Sequence, residues 1–121
     1  MNARILIADD EVEITELIKD VMKELFLFPK IEVVHDWKKV RYLADTNEEY
    51  DIVICDKNMP FKELARFPKT KLKVVCTGDA DVIKSTPLRT KVDAIFEKPN
   101  LMNLIIVKEL YLQKVTGRSV A

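Results

Sequence analysis

Three aspartates directly follow short apolar runs of the sequence, a placement that suits metal binding. Asp9 and Asp10 come after residues 4–8, "RILIA", and Asp56 comes after residues 51–55, "DIVIC". Carboxylates brought within a few ångströms of one another repel, and a cation between them relieves the repulsion. An all-oxygen ligand set favours a hard cation, and Mg²⁺ combines carboxylates with water and phosphate oxygens. We therefore expect Asp9, Asp10 and Asp56 to form a Mg²⁺ site.

Two further side chains follow apolar runs and suit phosphoryl chemistry. Thr77 comes after residues 72–76, and Lys98 comes after residues 93–97. An aspartate beside a metal ion can attack phosphorus, while a lysine ammonium and a hydroxyl stabilise negative charge on the transferring group. Asp56, Thr77 and Lys98 are therefore the candidate catalytic residues of an acyl-phosphate site.

The elements that must position these residues alternate between short apolar strands and helices. The strands are predicted at 4–8, 30–36, 51–55, 72–76 and 93–97. Helices are predicted at 14–26, 37–44, 61–67, 79–85 and 101–112, the third being short and weak. This alternation predicts an α/β fold with a doubly wound, five-stranded parallel sheet and helices on both faces. Functional residues of such a sheet gather at the carboxyl ends of its strands.

The helices are expected to be amphipathic and to have recognisable ends. Helical spacing predicts an apolar face on the first helix from Ile14, Leu17, Ile18, Val21, Met22, Leu25 and Phe26. The second is expected to use Trp37, Val40, Tyr42, Leu43 and Ala44. Asn100 can cap the last helix, and Gly117 is a stop signal.

Other polar or reactive residues favour structural roles. Asp36 also follows a predicted strand, but it has no partner motif, so we expect it to be a helix cap or a solvated turn residue. His35 is the one histidine, and it lacks the companions that a zinc site or a catalytic triad would need. Cys55 and Cys76 each lie in an apolar run without metal-site spacing, so we expect both to be reduced core residues.

Length and composition indicate one ordinary globular domain. The chain has 121 residues, of which 48% are hydrophobic, and its 20 basic and 20 acidic side chains give no net charge. No summed field therefore attracts nucleic acid or an anionic membrane, and we expect neither as a direct partner. The apolar runs are far shorter than the ~20 residues of a membrane span, and we expect a cytoplasmic protein.

Four short motifs, in order, resemble those of the receiver domains of two-component response regulators. They are "IADD" at 7–10, "CDKNMP" at 55–60, "CTG" at 76–78 and "EKP" at 97–99. The resemblance covers the chain to about residue 115 and implies a flavodoxin-like or CheY-like sheet of order 2-1-3-4-5. It also implies a receiver domain at 1–116 and a flexible tail at 117–121.

The resemblance implies roles for individual residues. Asp56 would accept a phosphoryl group from the phosphohistidine of a sensor histidine kinase or phosphotransfer domain. Asp9, Asp10, Asp56 and the backbone carbonyl of Asn58 would bind Mg²⁺, Lys98 would contact the phosphoryl oxygens, and Thr77 would respond to phosphorylation. The change would reach the face formed by the family's fourth helix, fifth strand and fifth helix. A downstream effector, an output domain outside this sequence or a phosphorylation-dependent homodimer would read it.

Two departures from the family pattern leave a second function open. Thr77 follows Asp56 by only 21 positions, which predicts a shortened third helix. Ile95 stands where the family usually has a switch aromatic, and strand alternation predicts that Phe96 points to the opposite face. The alternative is therefore a non-switching pseudo-receiver that acts as a protein-interaction module. A phosphatase of the haloacid dehalogenase type is disfavoured, because its second acid is replaced by Asn58. On either receiver reading the protein is not an enzyme acting on a diffusible substrate.

Overall fold

The computed structural model describes residues 2–56, 68–78, 92–97 and 101–117, with the backbone alone at 101–103. Strands and helices alternate in the first half of the chain. In chain order the elements are β1 (Arg4–Ala8), α1 (Val12–Leu25), β2 (Lys30–Val34), α2 (Trp37–Asp45), β3 (Glu49–Asp56), β4 (Lys69–Thr77), β5 (Ala94–Glu97), a 3-10 helix (Leu101–Ile106) and α3 (Val107–Thr116).

The five strands form one parallel sheet of order β2-β1-β3-β4-β5. The predicted fold class and strand order are therefore confirmed. Because all strands run in the same direction, their carboxyl ends share one edge of the sheet. The carboxyl ends of β1 and β3 are neighbours near the middle of that edge, where the predicted site residues follow them.

The sheet is buried on both faces, as its unbroken apolar strands require. On β1, Ile5 and Ile7 contribute to a core beneath α1 and α3, while Leu6 and Ala8 contribute to a second core beneath α2. The same alternation continues on β3, where Ile54 lies in the first core and its neighbours lie in the second. Strand alternation thus divides one apolar run between two helix layers.

Several strand ends differ from the predicted ones, most clearly in β2, β3 and β4. β3 begins at Glu49 and β4 at Lys69, earlier than predicted, because these two residues lie side by side and extend the ladder. β2 ends at Val34, before His35 and Asp36. Asp36 instead caps α2, since its Oδ1 accepts a hydrogen bond from the backbone N–H of Lys38 at 2.7 Å. Of the two structural roles expected for Asp36, a helix cap or a solvated turn residue, the structure shows the helix cap.

The predicted apolar faces of α1 and α2 are right in their centres and wrong at three positions. Ile18, Met22, Val40 and Leu43 are buried as expected. Leu17 is 52% exposed, and Trp37 and Tyr42 of α2 are 39% and 57% exposed. Thr15, which was not part of the predicted apolar face, is fully buried. Apolar spacing alone could not distinguish these edge positions from the packed stripe, which depends on how each helix is rotated over the sheet.

The last helix begins differently from the prediction, and it extends past residue 112 to the predicted stop signal at Gly117. Residues 101–106 form a 3-10 helix, and the α-helix starts only at Val107. Ile105, Ile106 and Val107 are consecutive β-branched residues, which are poor α-helix formers, and 3-10 turns are frequent at helix beginnings. At the other end Gly117 adopts the left-handed conformation with φ 71°, and its N–H donates to the carbonyl of Gln113. Gly117 is therefore the predicted helix stop.

Several predictions fall on other parts of the chain. The shortened helix at 61–67, the helix at 79–85, the capping role of Asn100 and, except for Gly117, the tail at 117–121 lie outside the described residues. Within the described residues, no helix is long and apolar enough to cross a membrane.

Candidate functional site

The central pair of strands brings two aspartates together at the carboxyl edge of the sheet. Ala8 of β1 lies beside Cys55 of β3, so the following residues, Asp9 and Asp56, are the next pair along the same register. Both residues are buried, with 1% exposure for Asp9 and 5% for Asp56. The apolar strands thus hold two acidic side chains at a fixed separation.

Asp10 completes an acidic cluster with these two residues. Carboxylate oxygens of Asp9, Asp10 and Asp56 all lie within 4.8 Å of one another, and Asp10 is exposed to solvent. Two unit charges at 4.8 Å repel by about 3 kcal/mol at an effective dielectric constant of about 20. A small divalent cation would relieve this repulsion, and three oxygen donors fit Mg²⁺ in both chemistry and number. The structure therefore brings together the three aspartates that were predicted to bind metal.

The loop between β1 and α1 is held by backbone hydrogen bonds. The N–H of Asp9 donates to the carbonyl of Val34 at 3.1 Å, which fastens the loop to the end of β2. The N–H of Glu11 donates to Oδ1 of Asp9 at 2.9 Å. Because one oxygen of Asp9 is engaged in this way, the orientation of its carboxylate is set before any cation binds.

Thr77 ends β4, next to the strand that carries Asp56. Asp56 lies beside Cys76, so Thr77 is one residue beyond the level of Asp56, and it is fully buried. β5 ends beside it at Glu97. Lys98 and Asn58, the other two predicted site residues, lie outside the described residues. The structure therefore brings four of the six predicted site residues to one edge of the sheet.

Neither cysteine contributes a reactive thiol to this edge. Cys55 and Cys76 are both buried and unbridged, as predicted. Burial raises the pKa of the Cys55 thiol well above its ordinary value, and the neighbouring Cys76, Asp56 and Asp9 raise it further. A thiol held in its neutral form is a poor nucleophile and a poor metal ligand.

Ile95 and Phe96 take opposite faces of the sheet, as predicted from strand alternation. Phe96 is buried in the core beneath α1 and α3, whereas Ile95 packs against the core beneath α2 and is half-buried. No aromatic side chain of β5 is therefore on the face of Ile95. A switch that used an aromatic side chain at the position of Ile95 would therefore lack it in this protein.

A buried hydroxyl beside the acidic loop was missed by the sequence reasoning. Thr15 Oγ1 donates to the carbonyl of Val12 at 2.7 Å and lies 3.0 Å from Nε2 of His35. Since the hydroxyl proton is used, the second contact requires that Nε2 carry a proton and donate to Thr15. The pair joins α1 to the segment between β2 and α2. Its sequence signal was only a threonine at a core position of an amphipathic helix.

Replacing Thr15 by Val is expected to lower the free energy of unfolding by about 1 to 2 kcal/mol. Valine preserves the shape but removes both hydrogen bonds, each of which contributes about 1 kcal/mol. Urea unfolding followed by circular dichroism would measure the change. Thr116 is a matched control, because its hydroxyl also donates to a backbone carbonyl but the residue is exposed. A Thr15→Val variant no less stable than Thr116→Val would contradict the assigned role.

Comparison with solved structures relates this arrangement to one class of proteins. A CheY-like receiver domain protein from Methanospirillum hungatei is 22% identical, with a TM-score of 0.70 over 98% of this chain and 100% of that one. The phosphorylated cyanobacterial phytochrome response regulator RcpA is 20% identical, with a TM-score of 0.67 over 98% of each chain. The fold is that of a response-regulator receiver domain.

A third receiver fold was solved with a cation. It is the receiver domain of a Pseudomonas aeruginosa sensor histidine kinase, with a magnesium ion coordinated in its active-site cleft. It is 16% identical, with a TM-score of 0.66 over 88% of this chain and 97% of that one. No protein-family model matches the sequence, and no curated protein matches it significantly. The receiver fold is thus evident from the structure, although neither the family models nor the curated proteins match the sequence.

Proposed function

We propose that this protein is a phosphorelay signalling switch whose phosphoacceptor is Asp56. The observation that carries the proposal is the cluster of Asp9, Asp10 and Asp56, whose carboxylate oxygens lie within 4.8 Å of one another at the carboxyl edge of a receiver fold. A buried aspartate at the end of a central strand is a fixed nucleophile, and the more exposed Asp10 leaves the cluster open to solvent on one side.

In the proposed reaction, a carboxylate oxygen of Asp56 attacks the phosphorus of a phosphohistidine on a kinase or phosphotransfer domain. The new O–P bond forms as the P–N bond breaks, and the imidazole leaves with the electron pair. Asp9, Asp10, Asp56 and the Asn58 carbonyl would hold Mg²⁺, which would supply positive charge to the phosphoryl oxygens. The magnesium ion of the Pseudomonas receiver domain and the phosphorylated state of RcpA support this assignment.

Thr77 and Lys98 are proposed to stabilise the phosphorylated state. Phosphorylation adds roughly −1.5 to −2 charge units at Asp56, and each charge-assisted hydrogen bond to such a group contributes about 1.5 to 3 kcal/mol. Thr77 is buried one residue past the level of Asp56 on the neighbouring strand, so a small movement of its hydroxyl would meet the new oxygens. A domain or effector that contacts the altered surface would transmit the signal.

One observation favours the alternative of a non-switching interaction module. The β5 position facing the α2-side core is occupied by half-buried Ile95, and the aromatic Phe96 is buried on the other face. A switch that couples Thr77 to an aromatic side chain would therefore need a different partner. Phosphorylation and switching must accordingly be tested separately.

Incubation of the wild-type protein with acetyl phosphate and Mg²⁺ is expected to add one phosphoryl group. Intact-mass spectrometry would measure it, hydroxylamine should remove it as expected for an acyl phosphate, and EDTA should prevent its formation. Beryllofluoride, which mimics the acyl phosphate, would then be titrated while amide chemical shifts of β4 and β5 are followed. Phosphorylation by acetyl phosphate together with chemical-shift changes in both strands supports the switch. Phosphorylation with chemical-shift changes confined to the acidic cluster supports a phosphorylated but non-switching domain. An unmodified wild-type protein would favour the interaction module.

A further inference from the structure

The outward face of α2 combines cations with exposed aromatic rings. Trp37, Lys38, Lys39, Arg41 and Tyr42 make up this cationic face. The guanidinium of Arg41 lies 4.3 Å from the ring centre of Trp37, and the ammonium of Lys39 lies 4.9 Å from that of Tyr42. Asp45, the last residue of the helix, is its only acid. Exposed aromatic rings held by neighbouring cations are the side chains that protein interfaces use most effectively.

The position of these cations is unfavourable for the helix itself. Lys38 and Lys39 lie in the first turn of α2, which contains no acidic residue. The amino end of a helix carries partial positive charge, which disfavours cations there, and the one carboxylate at this end is that of the capping residue Asp36. Local choices that oppose stability are most often found at functional positions.

The outward face of α1 has the opposite character. Glu13, Glu16, Asp20 and Glu24 are all exposed and follow one another at intervals of three or four residues, so they form an acidic stripe along the helix. Leu17, 52% exposed, lies within the stripe. In the described part of the chain, none of these four acids is paired in an ion pair given by the structure. The stripe therefore offers negative charge and an apolar side chain to the same neighbour.

The two surfaces cannot meet within one molecule. α1 covers the core that contains Ile5 and Ile7, and α2 covers the core on the opposite face of the sheet. The chain as a whole carries no net charge. Overall electrostatic repulsion between copies therefore does not oppose attraction between the basic face of one copy and the acidic face of another. Complementary patches on opposite sides of one molecule bring copies together head to tail.

We propose that the cationic face of one copy binds the acidic stripe of a second copy, through α2 and α1 and without phosphorylation. Leu17 would contact the aromatic rings of the cationic face, and the lysines and arginine would meet the acids around it. An extended nucleic acid is a poorer occupant, because α2 is only nine residues long and the acidic cluster lies at the same edge of the sheet as its first turn. The interaction is weak and salt-dependent, since its ion pairs remain near water.

Trp37 gives a direct measurement, because it is the only tryptophan of the chain. At about 0.02 M salt its emission should shift to shorter wavelength as the protein concentration rises, while sedimentation equilibrium shows a growing average mass. At about 0.3 M salt the dissociation constant should be at least about tenfold larger. A wild type that stays monomeric at millimolar concentration and low salt would overturn the proposal.

A charge exchange between the two faces tests the proposed contact itself. Two double variants are compared, Lys38→Glu/Lys39→Glu on α2 and Glu16→Lys/Asp20→Lys on α1. Neither variant should associate with itself, and an equimolar mixture of the two variants should restore association. A control for overall repulsion is the double variant Lys69→Glu/Lys108→Glu, which changes the net charge equally on exposed lysines elsewhere. It should shift the dissociation constant less than Lys38→Glu/Lys39→Glu, the α2 reversal. Circular dichroism would verify that every variant is folded. If the mixture does not recover, if only the α2 reversal has an effect, or if the control abolishes association as fully, the two faces do not bind each other.

Discussion

Replacing Asp56 by Asn is expected to abolish phosphoryl uptake from acetyl phosphate and, in the absence of metal, to raise the free energy of unfolding. Loss of uptake follows because an amide cannot form the acyl phosphate. The gain in stability follows from the geometry of the cluster, since Asp9 and Asp56 are both almost fully buried and their oxygens lie within 4.8 Å. Relief of their repulsion, which is about 3 kcal/mol for unit charges 4.8 Å apart at an effective dielectric constant of about 20, should leave a net gain of about 1 to 2 kcal/mol.

Mg²⁺ should stabilise the wild type much more than the Asp56→Asn variant. A ligand that binds only the folded state stabilises it in proportion to the logarithm of its concentration. The wild type should therefore become more stable as Mg²⁺ is added, and the Asp56→Asn variant should respond much less because it has lost one charged ligand. Urea unfolding with and without Mg²⁺ would show the crossing of the two curves.

Asp36→Asn is the matched control for this experiment. Asp36 also follows a strand, but its side chain caps α2, and asparagine is an equally good capping residue. This variant should take up phosphoryl groups and respond to Mg²⁺ as the wild type does. Modification of Asp56→Asn to the same extent as the wild type would show that the phosphoacceptor is another residue.

Replacing Asp51 by Asn is expected to lower the free energy of unfolding by about 2 to 3 kcal/mol at neutral pH. Asp51 lies near the amino end of β3, at the edge opposite the acidic cluster, and its carboxylate joins four elements. It accepts a hydrogen bond from the backbone N–H of Arg4 at 2.7 Å and from the hydroxyl of Tyr111 at 2.9 Å. The ammonium of Lys71 lies 3.4 Å from the same carboxylate. Hydrogen bonds to a charged group contribute about 1.5 to 3 kcal/mol each, and the amide can replace only part of them.

The same contacts predict how acid affects stability. Burial by itself would raise the pKa of Asp51, but the hydrogen bonds from Arg4 and Tyr111 and the charge of Lys71 lower it below its ordinary value. A lowered pKa in the folded state means that the stabilisation is complete above about pH 4 and is lost as the pH falls through the lowered pKa. Between about pH 4 and pH 2 the free energy of unfolding should therefore fall less steeply in Asp51→Asn than in the wild type.

Two further variants distinguish the loss of the Asp51 contacts from the effect on stability of removing any aspartate charge. Burial and the Asp51 hydrogen bond raise the pKa of Tyr111 to about 12, so its hydroxyl remains a donor throughout the range tested. Tyr111→Phe combined with Asp51→Asn should cost less than the sum of the single changes, because both remove the same hydrogen bond. Asp20→Asn, an exposed aspartate of α1, should change stability by less than about 0.5 kcal/mol. Equal acid sensitivity of the wild type and Asp51→Asn would contradict the assignment.

The role of Asp51 illustrates a limit of prediction from sequence. In "EYDIVIC" Asp51 was treated as the polar beginning of an apolar strand, and nothing in the sequence related it to Tyr111, which is sixty positions away. Thr15 and His35 are a similar pair, twenty positions apart. Hydrogen bonds between side chains on different elements depend on how the elements are rotated and offset, and those quantities result from packing of the whole domain.

Strand existence and the meeting of Asp9, Asp10 and Asp56 could be determined from the sequence by itself, whereas the strand order was implied by the resemblance to receiver domains. Apolar runs buried on both faces have a simple signature, and parallel strands necessarily place their carboxyl ends at one edge. Only the tertiary structure decided which helical residues face outward, since Leu17, Trp37 and Tyr42 have apolar side chains at spacing that also suits a core. The reason is that the cost of exposing one apolar side chain is small compared with the packing of a whole helix against the sheet.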